Sequence, residues 1–258
     1  MDLELRGKVA AVTGGSRGIG RAIALRLAAE GCAVAIGARG AEALNAVTQE
    51  ITAAGGSALA VPCDLTTAEG AAQLIEGAAQ RFGGLDVLVN NVGGSAPANK
   101  PFMDTTADDW QGVVALNLYS AIEASRLAVP HFRKRGGGAI LIISSVYGRE
   151  NGGYTGYNAV KSALNSLAKS LSRELAPDKV RVNALAPGSI LFPGGSWERR
   201  QQADPAGIAQ FVERELPWGR FGAPEEVADV AAFLCSARAS WVTGACVPVD
   251  GSQGRSNI

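Results

Sequence analysis

Tyr157 and Lys161 stand four residues apart in "GGYTGYNAVKSALNSLAKSL", residues 152–171, in a chain with a single histidine. On a helix, residues at i and i+4 share a face. A free phenol has a pKa near 10 and is a poor acid or base at neutral pH. An ammonium held about 4 Å away contributes roughly 4 kcal/mol at an effective dielectric near 20, before desolvation subtracts some. The pair is therefore expected to bring the phenol's pKa down and to carry general acid-base chemistry without histidine, worth on the order of 10²- to 10⁴-fold in rate. Ser145, twelve residues before Tyr157, closes the apolar run "AILIISS" (139–145). At the carboxyl end of a central strand its hydroxyl can polarise a substrate carbonyl or cap its own turn, and Ser144 beside it competes for the same part.

A second group of residues suits phosphate. The run "KVAAVTG" (8–14) leads straight into "GSRGIGRAIALRLAAEG", so Gly14, Gly18 and Gly20 fall where a strand turns sharply into a helix. Such glycines let a diphosphate approach the backbone and let the helix pack close to the sheet, and the amides opening the helix hold the negative charge. Candidate contacts are Gly14, Ser16, Arg17, Gly18, Ile19 and Gly20. A carboxylate about twenty residues on would hold the ribose 2′-hydroxyl of NAD. Here Ala38 and Arg39 occupy that place, so Arg39 with Arg17 favours the 2′-phosphate of NADP(H), and NAD(H) stays possible. Asp64, followed by Leu65, either accepts a hydrogen bond from the adenine amino group or caps the helix starting near Thr67.

These residues need a frame. Strand-length apolar runs recur at 8–14, 33–38, 58–64, 85–91, 139–145, 180–186 and 246–251, separated by stretches of helical period. That alternation predicts an α/β fold, a doubly wound parallel sheet of about seven strands with helices on both faces, in one domain spanning 1–258. Val160, Leu164, Leu167, Leu171 and Leu175 form the core stripe of the helix that carries Tyr157 and Lys161. The segment "PGSILFPGGSWERRQQADPAG" (187–207) lacks a clear period and is expected to be a mobile substrate loop reaching to about 215.

The remaining composition is neutral in what it permits. With 24 basic and 24 acidic side chains the chain has no formal net charge, so neither nucleic acid nor an anionic membrane is an expected partner. Cys32, Cys63, Cys235 and Cys246 lie far apart without metal-ligand spacing and read as reduced thiols. "MDLELRGKVA" has no secretion-signal pattern and no apolar run reaches about 18 residues, so a cytoplasmic location is expected.

The chain resembles the short-chain dehydrogenase/reductase family over essentially its whole length. "TGGSRGIG" matches TGxxxGxG, "NNVG" (90–93) looks like NNAG, "YNAVK" matches YxxxK, and "APG" (186–188) and "VTGACVPVDG" look like later family motifs. The resemblance implies that Ser145 binds the carbonyl, Tyr157 transfers the proton, and Lys161 lowers the tyrosine pKa while holding the nicotinamide ribose. Asn117, in "VVALNLYS", would anchor a proton relay. Asn90, Asn91 and Gly93 would lie by the adenine ribose, and Pro187, Gly188 and Ile190 by the nicotinamide. A homotetramer is also implied. Two departures stand out: the Ser145–Tyr157 interval is one residue short of the commonest spacing, and Phe192 stands where a threonine often contacts the carboxamide.

The function expected is interconversion of a ketone and a secondary alcohol by an NADP(H)-dependent oxidoreductase acting on a small molecule. A 3-oxoacyl-thioester reductase and a catalytically silent NADP-binding sensor are the alternatives. Tyr147, Tyr154, Phe192, Trp197 and Phe211 are candidate substrate contacts, or simply pack the lid. For an acyl carrier protein, Val129 and Pro130 stand where a basic docking residue would be sought, although Arg133, Lys134 and Arg135 follow.

Overall fold

The apolar runs pair side by side in the computed structural model, which describes residues 1–257. The strands are β1 (Val9–Thr13), β2 (Ala33–Ala38), β3 (Ser57–Pro62), β4 (Val87–Asn90), β5 (Gly138–Ile143), β6 (Val180–Pro187) and β7 (Cys246–Val249). They form one sheet in the order β3-β2-β1-β4-β5-β6-β7, with every neighbouring pair parallel. The near-continuous apolar character of the strands follows, because both faces are covered. In β1, Ala10 and Val12 enter one core while Val9 and Ala11 enter the other, as the pleat requires.

One core lies under α1 (Gly18–Ala29), α2 (Ala41–Ala53) and α9 (Pro224–Cys235). The other lies under α3 (Ala68–Phe82), α5 (Ser120–Arg135) and α6 (Thr155–Glu174). Ile23, Leu27, Leu74, Ile75, Leu88 and Ile140 are among the side chains fully or almost fully withdrawn from water, each worth roughly 1.5–3 kcal/mol in transfer terms. In α6, Leu164 is buried in this second core, with Leu175 just past the helix end, and Leu167 and Leu171 pack partly buried against it; Val160 is buried instead in a small separate cluster with Ala98 and Val113.

Strand order reverses at β1, whose neighbours β2 and β4 run away from it in opposite directions. In open parallel sheets ligands bind beyond the carboxyl ends of the strands at such a point. Thr13, Asn90, Ile143 and Pro187 all end their strands on that edge, so the chain following each of them reaches the same region.

The segment from Ser196 differs from the expected loop. It contains α7 (Ser196–Ala203) and α8 (Pro205–Glu215). Asp204 accepts from the Gly207 amide and Pro205 opens α8, a standard helix start; Trp197 stacks on Phe211 at 4.6 Å and joins the two helices. No residue of α7 is buried, which is why its sequence carries no apolar period.

Candidate active site

At the end of β1, Gly14 and Gly18 have φ of +68° and +54°, values that favour glycine. Gly20 faces a tighter restriction: an added Cβ would lie 2.3 Å from the Gly14 carbonyl oxygen and 2.4 Å from Asn91 Nδ2. Those two atoms are themselves joined, since Asn91 Nδ2 donates to the Thr13 and Gly14 carbonyls at 3.0 and 3.1 Å. Thr13 Oγ1 accepts from the amides of Asn91 and Val92. Asn91 thus ties the turn to β4, while Asn90 is buried and donates to Ser125 Oγ.

The α1 N-cap is Arg17, which supplies no side-chain acceptor to the helix start. The opening amides of Gly18, Ile19 and Gly20 are therefore not taken up by a side-chain cap, and the turn fits a dinucleotide diphosphate. Ser16 and Ile19 are half-buried beside them and Arg17 is exposed. Arg39, also exposed, lies close enough to Asp64 to help lower its carboxyl below the usual range, after the larger effect of two hydrogen bonds from Thr66. Asp64 itself therefore caps the turn before α3, whose own N-cap is Thr67; Leu65 beside it is buried.

The second group converges on the same edge. Ser145 is buried, its Oγ accepts from the Tyr147 amide, and its side chain hydrogen-bonds Tyr157. Ser144 points elsewhere: its hydroxyl donates to the Lys161 carbonyl at 3.0 Å. The geometry thus distinguishes Ser145, the serine preferred in the sequence, from its neighbour. Lys161 is 3% exposed, donates to the Ile143 carbonyl at 2.9 Å, and sits 5.5 Å from the centroid of the Tyr157 ring. An added Cβ on Gly93 would lie 2.6 Å from Asn117 Oδ1 and 2.9 Å from Lys161 Nζ, so glycine leaves room for both side-chain heads beside its backbone.

Asn117 is positioned by a local irregularity. Between α4 (Ala107–Val114) and α5 the chain makes a π turn over Ala115–Tyr119, a feature frequent at functional sites. Asn117, fully buried within it, accepts from the Gly94 amide and donates to the Gly94 and Val113 carbonyls.

The electrostatics depart from the simple pair. Burial pushes the Tyr157 phenol above its ordinary value, and the Ser145 hydrogen bond pulls it part of the way back. Burial instead brings Lys161 down to about 8. The 5.5 Å separation from the ring and the cost of desolvating both groups outweigh the attraction expected from the sequence.

Pro187 and Ile190 are buried after β6, and Ile190 bridges to Gly222. Gly188 packs against the last turn of the chain: an added Cβ would meet Gln253 Oε1 at 2.7 Å, and that oxygen accepts from the Ser189 amide. Nothing local in the sequence links Gln253 to residues 64 positions earlier. A cavity of about 380 Å³ is lined by Tyr147, Glu150, Phe211, Glu215, Gln253 and Arg255 among others. Tyr147 is thus placed on a mostly polar wall. Tyr154 caps α6 with its backbone, and Trp197 packs between Phe211 and Phe221 with Arg200 over its ring. Phe192 rests on Gly18.

Residues 14–252 match a family described as enoyl-(acyl carrier protein) reductase. The 7alpha-hydroxysteroid dehydrogenase of Escherichia coli is 37% identical over 97% of this chain and 95% of its own length. The 3-oxoacyl-[acyl-carrier-protein] reductase of Aquifex aeolicus is 38% identical over 97% of this chain and 99% of its own. Among solved structures, L-sorbose reductase from Gluconobacter frateurii, complexed with NADPH and L-sorbose, superposes with a TM-score of 0.93 at 34% identity, covering 99% of this chain and all of that one. A 7alpha-hydroxysteroid dehydrogenase complexed with NADH and 7-oxo glycochenodeoxycholic acid gives 0.90 at 36% identity, covering 97% and 96%. These relatives are oxidoreductases matched along nearly their full lengths, and the chain belongs to the short-chain dehydrogenase/reductase family.

Proposed function

We propose that this protein interconverts a ketone and a secondary alcohol on a small molecule, with NADP(H) as the preferred cofactor. The observation that carries the reading is the meeting of Ser145, Tyr157, Lys161 and Asn117 at the strand ends beside the glycine turn. When bound, the nicotinamide supplies or takes up the hydride at the carbonyl carbon. Gly14, Ser16, Arg17, Gly18, Ile19 and Gly20 would hold the diphosphate, Asp64, Leu65, Asn90, Asn91 and Gly93 the adenosine side, and Pro187, Gly188 and Ile190 the nicotinamide side. Ser145 and Tyr157 donate hydrogen bonds to the substrate oxygen. Tyr157 gives that oxygen its proton during reduction and removes it during oxidation. Lys161, charged below about 8, stabilises the phenolate left behind, and Asn117 holds the path by which the proton is replaced.

NADP(H) is favoured because β2 ends on Ala38 and Arg39, with no carboxylate to repel a 2′-phosphate and with Arg17 near the turn. Tyr147, Tyr154, Phe192 and Trp197 are the proposed substrate-side residues. We place the protein in the cytoplasm as a homotetramer, binding neither nucleic acid nor membrane; among the described residues no helix is long and apolar enough to cross a membrane.

The test is loss of reduced-nicotinamide absorbance, NADPH against NADH, with simple ketones, a ketose, a 7-oxo steroid, a 3-oxoacyl thioester and an enoyl thioester. Oxidation of NADPH on a ketone supports the reading, and confinement of activity to the 3-oxoacyl thioester narrows it to the acyl reductase. Arg39→Ala is expected to weaken NADPH binding about tenfold and leave NADH nearly unchanged, a loss of one charge-assisted contact. Tight cofactor binding with no turnover on any substrate would instead indicate a silent sensor.

A further inference from the structure

We propose that Phe192 is a positioning residue that gates the nucleotide cleft: its ring covers the Gly18 turn, and a dinucleotide must displace it to bind. This rests on the dinucleotide site proposed above. Phe192 lies five residues past Pro187, on the chain leading from β6 into α7. A Cβ built on Gly18 would come within 2.6 Å of its Cε2 and 2.7 Å of its Cζ, so the ring lies directly on the backbone that opens α1. The same amides are the ones a diphosphate needs. A ring in van der Waals contact with Gly18 and a diphosphate on that turn compete for one space.

The contact is a packed one, since Phe192 is half-buried and joins the core under α1 and α9. A tight turn adjoins it. Phe192-Pro193-Gly194-Gly195 forms a turn closed by the Gly195 amide on the Phe192 carbonyl at 3.0 Å, with Gly194 at φ +72°. Beyond the turn, α7 is stacked onto α8 through Trp197 and Phe211, and Phe211 and Glu215 line the polar cavity that Tyr147 also borders. Displacing Phe192 therefore moves the element that shapes the substrate wall.

The experiment is stopped-flow fluorescence transfer from tryptophan to NADPH, with Phe192→Ala and Phe192→Leu beside the wild type. Removing the competing closed state is expected to raise the association rate about threefold to tenfold in Phe192→Ala and to lower the Kd, with Phe192→Leu between. Adenosine 2′-monophosphate, which has no diphosphate, is expected to bind all three proteins equally. An unchanged association rate, or a Kd that rises in Phe192→Ala, overturns the gate, because the ring would then support the bound cofactor. A parallel change in adenosine 2′-monophosphate binding assigns the effect to a loosened fold and also overturns it. If wild type and variants alike bind neither NADPH nor NADH, the dinucleotide site itself falls, and the gate with it.

Discussion

At the scale of the residue, the proposed reaction would have Tyr157 and Lys161 divide the acid-base work differently from the way their spacing suggests. The phenol is raised by burial, so at neutral pH it is protonated and ready to give its proton to a carbonyl oxygen. Lys161, brought down to about 8, holds its charge below that pH and loses it above. Reduction should therefore be fast below about 8 and decline as pH rises through that value, when the charge that stabilises the phenolate is gone. Measuring kcat/KM from pH 6 to 10 tests this; a flat profile would remove Lys161 from that role. Tyr157→Phe is expected to lower kcat by about 10²- to 10⁴-fold while NADPH still binds within about twofold of the wild-type Kd. Retained turnover would place the acid elsewhere. The Tyr, Lys and Ser types were readable from the sequence and Ser145 was preferred, but spacing alone left Ser144 in competition, because the distinction depends on which hydroxyl the chain turns toward Tyr157 and which toward the Lys161 carbonyl.

At the scale of the element, the strands were legible because a parallel sheet buried on both faces demands long apolar runs, such as "AILII" in β5. The turn after β1 was legible because only glycine meets its demands, and Gly20 makes that testable. Gly20→Ala would press its Cβ onto the Gly14 carbonyl and the Asn91 amide that hydrogen-bonds it. We expect a loss of about 2 kcal/mol in stability, typical of overpacking, together with loss of NADPH binding. Gly40→Ala, where nothing lies within 4 Å, serves as the control in thermal denaturation and cofactor titration. If both substitutions are equally harmless, the close approach at Gly20 is relieved by movement and does not constrain the turn. Helices α7 and α8 escaped the sequence reading for a physical reason. The first has no fully buried residue and so no apolar stripe, although the Asp204-Pro205 pair carries the start signal of the second.

At the scale of the whole molecule, the site is assembled from strand ends far apart in the chain, and it includes a charge that the fold would be more stable without. Gln253 on Ser189 and Arg255 on Glu150 bring the end of the chain onto this edge, a closure that no local pattern announces. Lys161 is 3% exposed and its ammonium donates to the Ile143 carbonyl. Its depressed pKa means that this site binds fewer protons in the folded protein than in the unfolded chain between about 8 and the ordinary 10.5. The contribution of Lys161 to stability must then rise with pH across that window, and the penalty of burying the charge is present in full below it. Lys161→Met removes the charge at nearly constant volume. At pH 7 it should gain about 2 kcal/mol, the desolvation penalty less the hydrogen bond given up, seen as a Tm higher by roughly 4–8 °C. The cysteines and the tyrosines away from the site affect both proteins alike, so the Tm difference between them reports on Lys161 together with its neighbour Tyr157. That difference should shrink as pH approaches 10.5, while activity is absent throughout. A difference that does not change with pH would mean that the lysine carries no desolvation penalty in the folded protein; one that shrinks identifies Lys161 as a charge kept for chemistry at the expense of stability.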